Sequence, residues 1–254
     1  MKIIYPENIS SISASNEEAN FPVENLEDEH PKKVWKGTEQ TAVIEVVSNN
    51  SSGMAIFKTN SETMIIEVKY GQTIAWDTDI AWDTDTSWDD SGVAPPPVTY
   101  QLSGEDEGAG WADWSKITVN HTIIISLDAG LGNIIEAGIV SVGIVKNFND
   151  PLVGFNEKLI DYSVVKELNN GAFFIKKRDI VREFSGSFDI KRDDEFYVFM
   201  MDILKNKGQK PMPVRLSTGL SNWEWIIYGR MTSASGTHDL PEYSTIQFNL
   251  LEVL

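Results

Sequence analysis

The chain has 254 residues, a formal net charge of -17 and no cysteine, and these facts exclude several functions at once. Phosphate binding is driven by Lys and Arg, so the charge argues against a nucleic-acid partner. Without cysteine there are no disulfides, thiolate nucleophiles or Cys-ligated metals, while a hydrophobic content of 41% is enough for one large β domain or two of ordinary size.

The opening residues Met1–Glu7 hold no apolar stretch of signal-peptide length. No run approaches the ~18 apolar residues of a membrane span. The expectation is a soluble protein made in a cytoplasm, with no membrane insertion. Charge is spread unevenly: residues 1–165 carry 9 Lys and Arg against 26 Asp and Glu, and residues 166–254 carry 12 against 12.

Short strands separated by turn clusters dominate the chain, the pattern of an all-β sandwich. In the first half the candidates are Ala42–Val47, Met54–Lys58, Met64–Lys69, Thr73–Trp88, Val98–Leu102, Ile117–Leu127 and Ile134–Lys146. Asn49–Gly53 and Asp128–Gly132 read as turns.

Residues 74–89 separate completely by parity. Even positions give Ile74, Trp76, Thr78, Ile80, Trp82, Thr84, Thr86 and Trp88, whereas the odd ones include Asp77, Asp79, Asp83, Asp85 and Asp89. In an extended chain one face is then Trp/Ile/Thr and the other carboxylate. Covering three Trp rings at ~150–250 Å² each is worth roughly 11–19 kcal/mol. A second sheet or another chain is expected to cover them, which makes Trp76, Trp82 and Trp88 candidates for an interface or ligand face. The Asp row offers oxygen ligands for Ca²⁺, although the Asp-x-Asp-x-Asp-Gly loop is missing. No other cofactor is expected. The pairs Asp77/Asp79 and Asp83/Asp85 also meet the spacing for glycoside hydrolysis, but nothing in an exposed row raises one pKa.

Asp89–Gly110 reads as loop, with Pro95–Pro97 stiffening it. Trp111 and Trp114 follow as a compact aromatic pair, either a core or interface anchor or a sugar platform. The histidines His30, His121 and His238 show no metal-ligand or triad spacing, and no nucleotide-binding, nucleophile-elbow or zinc-protease motif occurs. No catalytic residue is expected, and the chain reads as a non-enzyme.

After a boundary near Phe148–Asn156, the candidate strands are Leu159–Val165, Ala172–Ile190, Met212–Ser217, Trp223–Ser233 and Tyr243–Glu252. Asn170-Gly171 signals a two-residue type I′ hairpin turn. Asp193-Asp194-Glu195 followed by Phe196, Phe199, Met200, Ile203 and Leu204 predicts a helix over about 193–207, with Gly208 ending it. Lys176, Arg178, Arg182, Lys191 and Arg192 stud the long strand pair before it. They are either a charged edge that resists stray strand pairing or a surface complementary to the acidic half of a neighbouring copy. Head-to-tail contacts of that kind close into a ring.

Two stretches carry a resemblance. Ala14-Ser15-Asn16-Glu17, Asn20–Leu26 and Pro31–Thr38 resemble the opening of discoidin-like, galactose-binding-type β-sandwich modules. From Trp111 onward, the order of Val140–Ile144, Ile160–Ser163, Lys177-Arg178, Arg182–Phe184, Ile226–Gly229 and the closing Asn249–Leu254 is similar to tail-tip proteins of long-tailed (siphovirus-type) bacteriophages. The resemblance implies a mainly β fold of two jelly-roll-like sandwich modules. Residues 1–150 form the first, with an acidic Trp-rich insertion at about 70–115; residues 151–254 form the second, with the helix. It further implies a virion component at the tail tip, assembled in the host cytoplasm. Such proteins form oligomeric layers joining the tail tube to hub, fibre or host-recognition proteins. The alternative is a carbohydrate-binding module for host surface glycans.

Overall fold

The computed structural model describes residues 1–28, 32–70, 98–101, 108–152, 154–167, 173–191, 194–206, 208, 210–217, 225–238 and 242–253. The strand expected at Thr73–Trp88 lies outside the described residues.

The fold is mainly β. Its first half builds β1 (Lys2–Glu7), β2 (Ser11–Ala14), β3 (Trp35–Lys36), β4 (Thr41–Ser48), β5 (Ser51–Thr59), β6 (Thr63–Tyr70), β7 (Val98–Gln101), β8 (Gly108–Ile117), β9 (His121–Asp128), β10 (Glu136–Ala137) and β11 (Ile139–Asn147). The second half adds β12 (Asn156–Asp161), β13 (Val164–Glu167), β14 (Phe173–Lys176), β15 (Ile180–Lys191), β16 (Met212–Arg215), β17 (Ile226–Thr237) and β18 (Tyr243–Glu252). A five-stranded sheet runs β2-β4-β9-β6-β7 and a nine-stranded sheet β12-β15-β18-β17-β16-β1-β11-β5-β8.

Period-two patterning explains the first sandwich. Ile44 and Val46 of β4, Ile66 and Val68 of β6, and Ile123 and Ile125 of β9 point inward and are essentially buried. Facing them, Met54 and Ile56 of β5 and Val140 and Val142 of β11 complete one core. Strand β5 is buried on both sides, because Ala55 and Phe57 enter a second cluster with Trp111, Ile226 and Tyr228.

The segment between β2 and β4 packs into this sandwich. Val23, Leu26 and Trp35 are buried in its core, and Asn25 donates its side-chain N–H to the Val34 carbonyl at 2.9 Å. Gly37 fits there because a Cβ would lie 2.5 Å from Asn16 Oδ1 and 2.7 Å from Ile135.

The second half packs Phe184, Phe188, Ile246 and Phe248 against one helix. That helix opens with an α turn at Asp194–Tyr197 and continues as a π-helical run at Val198–Lys205. It is fixed by Phe199, whose ring meets Phe148 at 5.2 Å and Phe188 at 5.1 Å, both edge-on. Gly208 ends it as expected, at φ +63°, with its N–H donating to the Leu204 carbonyl.

β1 joins the two halves by pairing with β11 on one side and β16 on the other. Met1 and Ile3 therefore sit in the second core, while Ile4 sits in the shared cluster.

Several expected boundaries move. Gly108–Gly110 are not loop: Ala109 pairs with Phe57 and Gly110 with Ile56. A Cβ at Gly110 would crowd the Met64 side chain. Ile117–Leu127 is broken at 118–120, where the chain crosses from one sheet to the other. Ile134–Lys146 is interrupted at Gly138, and the two long strands expected after residue 158 are each divided into two. β13 and β14 pair antiparallel, with Glu167 opposite Phe173. The turn expected at Asn170-Gly171 lies outside the described residues.

Candidate functional site

The strand pair β12/β15 continues outward as the short ribbon β13/β14. Asp161 pairs with Ile180 at the foot, and Val164 with Lys176, Val165 with Ile175 and Lys166 with Phe174 above it. A turn holds the foot, where Ser163 donates its N–H to Asp161 Oδ1 at 2.7 Å and accepts one from Arg178 N–H at 3.0 Å. The Ser163 hydroxyl first, and then its N–H, hold the Asp161 carboxyl below its usual range.

Every residue of both ribbon strands is exposed. Val165 and Ile175 are each 62% exposed, Phe173 65% and Phe174 55%. Directly opposed residues share a face of a strand pair. One face of this arm is therefore Val165, Phe173 and Ile175 with Glu167, and the other is Val164 and Phe174 with Lys166 and Lys176. Large apolar side chains clustered on a projecting ribbon are the mark of an interaction surface.

The cations singled out from the sequence do not form one patch. Lys176, Lys177 and Arg178 line a cleft of about 550 Å³ with Lys32 and Tyr162, where Lys32 pairs with Asp179 at 3.2 Å. Arg182 is turned inward. Its Nε and Nη2 donate to Glu252 at 2.9 and 2.6 Å, and its guanidinium lies 5.5 Å from the Phe184 ring centre. Lys191 is exposed at the far end of β15, about 30 Å from Arg182 at the usual strand rise. Arg192 lies outside the described residues.

The tryptophans and aspartates proposed from sequence fare differently. Trp76, Trp82, Trp88, Asp77, Asp79, Asp83 and Asp85 all lie outside the described residues. Trp111 and Trp114 do not form a shared platform. Trp111 is 3% exposed in the cluster between the halves, and Trp114 packs from the other sheet face against the first core. Among the described residues no group of three or more His, Asp or Glu is placed to hold a metal ion. No helix among them is long and apolar enough to cross a membrane. His121 is 1% exposed: its Nδ1 donates to the Val119 carbonyl at 2.7 Å, leaving Nε2 to accept from the Ser51 hydroxyl at 2.6 Å. That is a satisfied core histidine.

A feature that the sequence reading did not single out is the outer face of the five-stranded sheet. Thr41, Val43, Thr63, Ile65, Ser126 and Asp128 line a groove of about 440 Å³ there, with Asn16 and Glu39 at its rim. Asp128 Oδ1 accepts from Gln40 at 2.8 Å and from Gly130 N–H at 2.9 Å, which lowers its pKa from the usual 3.8. The signal was present as the outward alternation of Thr41, Val43 and Glu45, but pairing with β6 and β9 was needed to assemble the groove.

No protein-family model matches the chain, and no curated protein matches it. Among solved structures it is similar to chitosan-binding module 1 of a chitosanase/glucanase from Paenibacillus sp. IK-5. That match has 15% identity and a TM-score of 0.37, and covers 56% of this chain and 98% of that one. The CBM32 of AlyQ in complex with 4,5-unsaturated mannuronic acid gives 15% identity and a TM-score of 0.36, covering 56% and 97%. XRCC1 bound to the DNA polymerase β catalytic domain gives 13% and 0.36, covering 54% and 97%.

Proposed function

We propose that the chain is a structural assembly subunit of a phage tail tip, working as a homo-oligomeric layer between the tail tube and hub or host-contact proteins. The exposed β13/β14 arm is the observation that carries this reading. Val164, Val165, Phe173, Phe174 and Ile175 are between 45% and 65% exposed, on a ribbon held out from the fold. An isolated two-stranded ribbon is marginal in water unless something packs on it. The cationic foot of the arm and the acid excess of residues 1–165 add charge complementarity between copies. The sequence resemblance is what supports the tail-tip setting and the virion location in this reading.

Light scattering of the whole chain across concentration tests it. The expected result is a discrete oligomer that dissociates when Phe173→Ser and Ile175→Ser are combined. A monomer at every concentration overturns the reading.

A second reading is glycan binding in the groove on the five-stranded sheet. Thr41, Thr63, Ser126 and Glu39 offer hydroxyl and carboxylate partners over Val43 and Ile65, the mixture of polar and apolar lining that small-ligand sites use. A glycan array with the wild-type chain and Thr41→Val tests it. Binding lost in the variant supports it, and no binding to any glycan removes it.

A further inference from the structure

The outer face of the five-stranded sheet sets two carboxylates beside apolar side chains, and one face of the arm sets two lysines beside apolar side chains. On the sheet, Ile124 of β9 is flanked by Glu45 of β4 and Glu67 of β6, both in direct register with it. The next row is Val43, Ser126 and Ile65, which floors the groove. The first of these rows sets an apolar side chain between two carboxylates, and Val43 and Ile65 lie one row beyond it. At one strand spacing on each side of β9, those carboxylates stand about 9–10 Å apart. On the arm, Val164 and Phe174 make an apolar strip between two cations. Val164 pairs with Lys176 and Lys166 with Phe174, so Lys166 and Lys176 are diagonal neighbours, about 7–8 Å apart.

We propose that the Val164/Phe174/Lys166/Lys176 face of the arm of one copy lies across this sheet face of a second copy. Phe174 enters the groove over Val43 and Ile65, and the two lysines meet Glu45 and Glu67. The proposal rests on the assembly reading and names the surface on which the arm lands. The charges choose the face. The opposite arm face presents Glu167, which would meet Glu45 and Glu67 with like charge, a costly juxtaposition at an interface. Glu67 already has Lys69 within 3.6 Å, but that pair is solvent-exposed, so an incoming lysine displaces little. The contact is head-to-tail, since arm and sheet are different surfaces of one chain, and it repeats from copy to copy.

Charge reversal tests it on the full chain by light scattering. Lys166→Glu with Lys176→Glu, and separately Glu45→Lys with Glu67→Lys, are each expected to weaken association at least tenfold. All four substitutions in one chain, or an equal mixture of the two double variants, are expected to restore assembly. All four positions are at the surface of strands, and circular dichroism checks that each variant is folded. An independent readout uses the absence of cysteine in the chain. Lys166→Cys in one copy mixed with Glu67→Cys in another is expected to give a disulfide-linked dimer under mild oxidation. If the arm variant dissociates while the sheet variant assembles like wild type and no cross-link forms, the arm lands elsewhere. The present inference then fails and the assembly reading stands. If wild type itself is a monomer at every concentration, the assembly reading fails and this inference with it.

Discussion

Val165 and Ile175 lie directly opposite each other on paired strands, and each leaves 62% of its surface in water. Cross-strand β-branched pairs normally stabilise a sheet by packing under a second layer. Among the described residues this pair has no such layer. Replacing Phe173, Phe174 and Ile175 together by Ser is therefore expected to change unfolding stability by no more than about 0.5 kcal/mol per position, the range for surface sites. The same variant should lose concentration-dependent association. Urea titration and light scattering on one preparation check both outcomes.

Trp111 and Trp114 are expected to separate in the opposite way. Trp111→Ala empties a buried site and should cost about 3–5 kcal/mol. Trp114→Ala, on the partly buried side, should cost less. Neither indole should respond to added oligosaccharide, since the two rings point to opposite sheet faces. Denaturant unfolding followed by Trp fluorescence reads both points, and quenching of either indole by a glycan would count against this account.

Arg182 and Glu252 tie the base of the arm to the last strand through two charge-assisted bonds, at 21% and 10% side-chain exposure. Removing either partner takes this bidentate contact from a largely buried place. Arg182→Ala or Glu252→Ala is expected to cost about 1.5–3 kcal/mol. The double substitution should cost clearly less than the sum, and a double-mutant cycle in urea measures that coupling.

Asp128 supplies a pH dependence. Its folded pKa is lowered first by the Gln40 side chain and then by the Gly130 N–H, from an ordinary value of 3.8. A carboxyl with a depressed folded pKa contributes stability that is present above its unfolded value and lost as pH falls through the folded one. Asp128→Asn should therefore leave a shallower loss of stability below about pH 4, with little change in slope near neutrality. Unfolding midpoints measured from pH 2 to pH 7 check it. An unchanged acid limb would show that the turn at Gly130 holds without the charge.

Much of the fold was legible from local pattern. Alternation in Ala42–Val47 and Met64–Lys69 placed two strands, β4 and β6, because side-chain parity is a property of the strand itself. Asp194 and Gly208 bracketed the helix for equally local reasons, carboxylates at its start and a left-handed glycine at its end. The Trp111/Trp114 pair was also decidable in principle. Positions three apart on a strand face opposite ways, so a shared platform required a helix or a loop there.

The amphipathic arm was not legible, and neither was the sheet face proposed to receive it. A one-residue shift between β13 and β14 would set Lys166 opposite Ile175 and Lys176 opposite Val165, dividing the cations between the two faces. The observed register puts both lysines on one face and Val165, Phe173 and Ile175 on the other. Local alternation is identical in the two registers, so only the pairing that extends β12/β15 outward selects between them. In the same way, Glu45, Ile124 and Glu67 are far apart in sequence and become one row only when β4 and β6 pair on either side of β9. What the amino-acid order determined alone was the local periodicity and the ends of its elements. Which faces meet, and whether they carry charge or apolar surface, was decided by non-local strand pairing, where one residue of slip reverses every side chain.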